Sequence, residues 1–160
     1  MISFQYAWEG ASPRVLAARF LAVERSLGDK RTPLRRCVTE VMIPSIALNF
    51  AVGGRPGWEP LAAGTVERRR SAGLDGPILH RTGALEAAMA RTDTWTITRN
   101  EARIDSLPDS VAYGIAHQTG ASKGNWFMPA RPFAVVQPED EDRMADIFAD
   151  WALETVLARI

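Results

Sequence analysis

The sequence predicts one α+β domain over residues 1–160, a small, mostly antiparallel sheet flanked by helices. Three observations lead there. Ser12-Pro13 and Thr32-Pro33 each open a run with helical apolar spacing. Thr94–Thr98 and Arg103–Leu107 alternate apolar with polar residues, as strands do. From Pro138 onward the chain opens acidic and then carries a broad apolar face, the pattern of a long closing helix.

Taken in order, Ile2, Phe4 and Tyr6 alternate with polar residues and predict a short first strand, followed by Trp8. Ser12 is a hydroxyl N-cap with proline at the first helical position, and Val15, Leu16, Phe20, Leu21 and Val23 give that helix its apolar face. Gly28 is its stop. Thr32-Pro33 opens a second helix that buries Leu34, Cys37, Val38, Val41 and Met42. Pro44 lies inside the pattern, removes a donor and crowds the preceding turn, so a kink or break is expected there. Gly53 to Pro60 is a loop by composition. Thr65–Ala72 reads as a short basic helix, Asp75-Gly76-Pro77 as a turn, and Thr82–Ala90 as a helix capped by Thr82.

Trp95 alternates inward on the first middle strand, and Asn100-Glu101 supplies the hairpin turn to the second. Val111–Thr119 forms a helical turn, Ala121–Pro129 a loop tip, and Phe133–Val136 a last strand. Met144, Ile147, Phe148, Trp151, Val156 and Leu157 line the closing helix. No repeat, low-complexity tract or linker divides the chain.

The composition excludes several classes. Hydrophobic residues make up 46% and charged residues 24%, enough for one core without staples. The lone Cys37 cannot form an internal bridge, which fits synthesis in a reducing cytosol. Net charge is zero, without the basic excess of a dominant nucleic-acid binder. No apolar run reaches the ~20 residues that span a bilayer. Met1–Tyr6 lacks the basic and apolar regions of a signal peptide.

Catalytic signatures are equally scarce. The glycines at Gly53, Gly54 and Gly57 are interrupted by Arg55-Pro56, and no Lys-Ser/Thr follows as a P-loop requires, so they read as a tight loop seating Trp58. His80, His117 and Cys37 are too scattered for a zinc motif. No G-x-S-x-G elbow is present. The sequence therefore gives no catalytic, cofactor or metal residues. Arg68-Arg69-Arg70 and the acids from Glu139 to Asp146 read first as solvated helix faces. Trp58, Trp126 and Phe127 lie in loops, where an exposed aromatic suits a contact with a partner protein.

Four phrases remain: Gly53-Gly54-Arg55-Pro56-Gly57-Trp58-Glu59-Pro60-Leu61, Pro77-Ile78-Leu79-His80-Arg81-Thr82-Gly83-Ala84-Leu85, Ala112-Tyr113-Gly114-Ile115-Ala116-His117-Gln118-Thr119-Gly120 and Pro129-Ala130-Arg131-Pro132-Phe133. In this order, with the acidic-start helix behind them, the chain resembles the phage virion morphogenesis family, the tail-completion proteins of Mu-like phages and prophages. The resemblance runs from about the second helix to the closing one. It implies a minor virion protein that is not an enzyme and needs no cofactor, made in the host cytoplasm and acting at the head–tail junction. It implies a homo-oligomer, a hexameric ring that caps the tail tube as a terminator. The partners would be the tail tube protein and a neck or connector protein, with no membrane and with DNA only passing through the channel. The alternative is a head-closure or connector protein of the neck; a small hydrolase using His80 or His117 is a third class. The interface candidates are Arg55, Trp58, Trp126, Phe127 and Arg131 in the loops, with Arg69 and Arg70 set against Glu139 and Asp142 across neighbouring subunits.

Overall fold

In the computed structural model, which describes residues 12–74 and 76–159, helix α1 (Pro13–Leu27) starts where its cap residues place it. The Ser12 hydroxyl accepts the Val15 N–H, and Pro13 fills the first turn. Gly28 ends the helix in a right-handed conformation rather than the usual left-handed one. The expected first strand and Trp8 lie outside the described residues. The apolar face of α1 is not the core face its spacing suggested. Val15, Phe20 and Leu21 are exposed, because α1 packs mainly along the closing helix, α7 (Pro138–Leu157).

Helix α2 (Arg31–Arg36) begins before Thr32-Pro33, so that pair falls in its first turn. Asp29 supplies the missing cap: its carboxylate accepts from the Arg31 N–H and holds the Arg31 guanidinium. Pro44 neither kinks the chain into a separate helix nor breaks it. The backbone instead widens into a π segment over Cys37–Met42 and continues directly into α3 (Ile43–Val52). The reason is local. Pro44 has no N–H to give the Glu40 carbonyl four residues back, and a normal turn would press its ring on that carbonyl. The Glu40 carbonyl accepts instead from Arg143 of α7, at 3.0 Å.

The wider turn also explains the buried pattern. Cys37/Val38, Val41/Met42, Ser45/Ile46 and Asn49/Phe50 are buried in pairs, each four residues after the last. A pure α-helix turns about 3.6 residues per revolution, so a four-residue repeat would drift steadily off the core. A π turn holds more residues per revolution and cancels part of that drift.

Helix α3 ends at Gly53 and Gly54, both left-handed, whose N–H groups return to the Asn49 carbonyl. The loop that follows carries a cis Arg55-Pro56 peptide and turns Trp58 inward. Helices α4 (Ala63–Ser71) and α5 (Ala84–Met89) come next; α4 buries nothing, while α5 buries Leu85, Ala88 and Met89. Gly83, not Thr82, takes the cap position of α5, although the Thr82 hydroxyl still accepts the Ala84 N–H. The middle strands are far shorter than their alternation suggested. Only β1 (Thr96–Ile97) and β2 (Ala102–Arg103) pair, antiparallel, after a 3₁₀ turn at Thr92–Thr94.

After α6 (Gly114–Thr119), the expected loop tip is a second hairpin. Strand β3 (Ala121–Lys123) pairs with β4 (Trp126–Met128), with Gly124 left-handed in the two-residue turn. The expected strand Phe133–Val136 joins no sheet among the described residues. The architecture is thus a single compact α+β domain whose β structure is two separate two-stranded hairpins. Its core gathers Met42, Ile46, Phe50, Trp58, Leu85, Met89, Val111 and Phe133, and Cys37, Val41 and Ile147 form a smaller cluster under α7. Trp95 packs half-buried against the main core, and Trp151 half-buried against Phe148.

Two glycines of the loop should respond differently to alanine. A Cβ on Gly53 meets nothing within 4 Å, so Gly53→Ala brings only left-handed strain, about 1–2 kcal/mol. A Cβ on Gly54 would collide with the Trp58 ring, adding about 1–3 kcal/mol of overpacking. Urea denaturation should therefore rank the midpoints wild type, then Gly53→Ala, then Gly54→Ala.

Candidate functional site

The four phrases meet in space. The glycine loop sends Arg55 back across α3, where Nε donates to Asn49 Oδ1 at 2.8 Å and Nη2 to the Ser45 hydroxyl at 2.6 Å and carbonyl at 3.1 Å. Its Nη1 reaches Glu139 Oε1 at 2.6 Å on α7. Ser45 passes its own proton donor to Asp140 Oδ2 at 2.5 Å, and Asp140 caps α7 through the Gln137 N–H. Gln137 closes the circuit by donating from Nε2 to the Arg55 carbonyl at 2.7 Å. Arg55 and Glu139, read as docking residues, therefore face each other within the chain.

The same loop is bound to the Pro129–Phe133 segment. The Trp58 indole donates to the Pro132 carbonyl at 2.9 Å, and its ring meets Phe50 edge-on, 5.9 Å between centroids. With 7% of its surface accessible, Trp58 is a core residue rather than the exposed loop aromatic expected. An indole with one polar atom is best buried where a carbonyl can receive its N–H, and Pro132 supplies one. Arg131, only 4% accessible, donates from Nε to the Glu59 carbonyl at 3.0 Å and from Nη2 to the Pro60 carbonyl at 3.1 Å.

The third phrase completes the clasp. The Arg131 N–H donates to the His117 carbonyl at 2.6 Å. The Gln118 side chain accepts from the N–H groups of Phe133 and Ala134 and donates back to the Ala134 carbonyl. Asn49 donates to the Phe133 carbonyl at 2.8 Å. Side-chain amides thus replace the neighbouring strand that Phe133–Val136 lacks. Ser45, Asn49, Gln118 and Gln137 were not singled out from sequence. The signal was present for two of them: Ser45 and Asn49 are polar residues four apart inside an apolar helical stripe, where burial demands a partner.

Beside the clasp lies an open cleft of about 450 Å³. Leu61 comes to it from the first phrase, Arg81 and Thr82 from the second, Tyr113 and His117 from the third, and Arg131 from the fourth. Burial, and then the nearby Arg131 charge, push the His117 imidazole below its ordinary 6.5, so the ring is held neutral. Its Nδ1 is buried and has no partner among the described residues. His80 is elsewhere, paired with Glu86 at 2.9 Å.

The remaining candidates divide. Arg69 is tied down, donating to the carbonyls of Leu74, Gly76 and Pro77. Arg70 is exposed on α4 beside Glu67 at 3.5 Å. Asp142 is exposed on the first turns of α7. Trp126 and Phe127 stand out on β4, 55% and 71% accessible.

Two measurements follow. Arg55→Lys keeps the charge but cannot engage Asn49, Ser45 and Glu139 together, and should lower stability by about 1–3 kcal/mol in urea. Trp126→Ala and Phe127→Ala should stay within about 0.5 kcal/mol of wild type. For His117, a folded-state value below the ordinary one means its contribution is complete above 6.5 and is lost as pH falls through the lower value. Thermal melts between about pH 7 and pH 5 should show that decline, and His117→Gln should reduce it.

Comparison with known proteins agrees with this arrangement of phrases. Mu-like prophage FluMu G protein 2 of Haemophilus influenzae is 33% identical to the chain over 123 residues, which is 75% of each protein. No solved structure matches the chain. The model of the phage virion morphogenesis family matches residues 15–152, nearly the whole of the described region. The chain belongs to the phage virion morphogenesis family, and its role lies in building a phage particle.

Proposed function

We propose that the chain is a tail-completion protein that caps the tail tube as a homo-oligomeric ring at the head–tail junction and so enables the head to join. The observation that carries this reading is the β3–β4 hairpin. It presents Trp126 and Phe127 to solvent from a base held on both sides, by α6 and by the clasped Arg131 segment. Large aromatics on a rigid support are the residues that dominate protein–protein contacts. A structural joint needs such contacts and no reactive centre. Of the two histidines, His80 is paired with Glu86, and the buried His117 Nδ1 has no partner among the described residues.

The charges support a ring closed by unlike faces. Arg70 lies on α4 and the acids Glu141, Asp142 and Asp146 on α7, all exposed. Two different patches on one chain can pair head to tail between neighbours, as cyclic assembly requires. Arg55, Arg69 and Arg131 shape the presenting surface from within.

Electron microscopy of an induced lysate lacking only this chain tests the reading. Full heads beside unattached tails of irregular or excessive length are expected. Unattached tails of normal length would place the protein on the head-closure side of the neck instead. Intact particles would overturn a role at the junction.

A further inference from the structure

The cleft that gathers all four phrases has a charge pattern that folding does not explain. Three guanidinium groups line it, from Arg69, Arg81 and Arg131, and among the described residues its lining contains no carboxylate. Arg131 is buried, yet the partners of its guanidinium among the described residues are two carbonyls, those of Glu59 and Pro60. Among the described residues Arg69 is likewise bound only by carbonyls. Arg81 makes no hydrogen bond or ion pair with any described residue. A buried cation without a counter-charge is costly, and carbonyl dipoles offset only part of that. Elsewhere in this chain guanidiniums find carboxylates readily: Arg31 with Asp29, Arg36 with Glu40, Arg55 with Glu139, Arg91 with Asp93, Arg103 with Asp105.

The uncharged lining adds donors of the same kind. The hydroxyls of Thr82, Ser110 and Tyr113 border the cleft, and none donates to a described side chain. We propose that this cleft is a binding site for a phosphate-class oxyanion, held by Arg69, Arg81 and Arg131 with the Thr82, Ser110 and Tyr113 hydroxyls around it. A carboxylate offers one charge and two oxygens in a plane. A phosphate offers up to two charges and oxygens pointing in four directions, which suits donors arriving from separate segments of the chain. The cleft's volume accommodates a phosphate group with the sugar attached to it, so the source is either free phosphate or the backbone of a nucleic acid. The proposal is independent of the tail-cap reading.

The test uses the purified full chain and inorganic phosphate at fixed ionic strength, followed by calorimetry and thermal melting. Phosphate should bind and raise the melting temperature, while chloride and acetate at matched ionic strength should not. Arg81→Gln should weaken phosphate binding about tenfold or more. Because Arg81 is exposed and unpaired among the described residues, its melting temperature without phosphate should match wild type. Ser110→Ala combined with Tyr113→Phe should weaken binding without loss of the fold. A short single-stranded oligodeoxynucleotide that competes with phosphate would assign the site to a nucleic-acid backbone, and failure to compete would assign it to the free ion. No phosphate-specific response, an equal response to acetate, or full binding by Arg81→Gln would overturn the proposal.

Discussion

The guanidinium of Arg55 holds the position from which the loops of this protein are set. It lies where α3, the glycine loop and the start of α7 cross, and from the loop it donates to α3 through Asn49 and Ser45 and to α7 through Glu139. Each of its partners passes the interaction on. Asn49 orients Phe133, Ser45 orients Asp140, and Asp140 caps the helix whose Gln137 returns to the Arg55 carbonyl. A lysine carries its three donors on one nitrogen and cannot span partners set apart on two helices; a planar fork with five donors on three nitrogens can. Removing it would leave Ser45 and Asn49 polar and buried in an otherwise apolar stripe, which is the expensive side of hydrogen-bond energetics.

The second constraint is how a chain without a proper sheet keeps its extended segments straight. Phe133–Val136 has no strand beside it among the described residues, yet the backbone groups of Phe133 and Ala134 are met by Gln118 and Asn49. Trp58 and Arg131 bind the preceding residues to the glycine loop in opposite senses, one donating out of the loop and one into it. Gly120 closes the same corner: its left-handed backbone lies so near Ala130 that a Cβ would come within 3.1 Å of that residue's nitrogen. The β3–β4 hairpin therefore leaves a corner fixed by packing and hydrogen bonds, and its direction is set by residues that never reach the surface.

Much of this was legible in the chain. The cap chemistry of Ser12-Pro13, the glycines ending α3, the acidic start of α7 and the hairpin alternation around Asn100 each report a local preference that the fold keeps. The misses share one cause, which is that side chains far apart in sequence decided the outcome. Pro44 predicts trouble in a helix but cannot say that Arg143 will take the carbonyl it abandons. Trp58 sits among glycines and prolines and so reads as exposed, whereas its burial depends on a carbonyl 74 residues away. Phe133–Val136 has strand-forming residues and no strand to join, because amide side chains occupy that place first. Of the site residues, types and phrases were visible; their separation into internal anchors and outward-facing aromatics was not.

That separation bears on what a member of a virion morphogenesis family needs. A particle is assembled from many weak contacts that must arrive in the right geometry, so each subunit must present its contacts without spending much of their energy on ordering loops. Here the ordering is done in advance. The phrases look like flexible loops in one dimension, but in three dimensions the first, third and fourth are bound together through Trp58, Arg131 and Gln118, and the second meets them at the cleft. The exposed surface then includes two aromatics on a hairpin, apolar residues of α1 such as Phe20, charges on the outer turns of α4 and α7, and a cationic cleft. Gly54 and Pro132 show how such residues serve rigidity: Gly54 lies against the buried Trp58 ring, and the Pro132 carbonyl receives that ring's N–H.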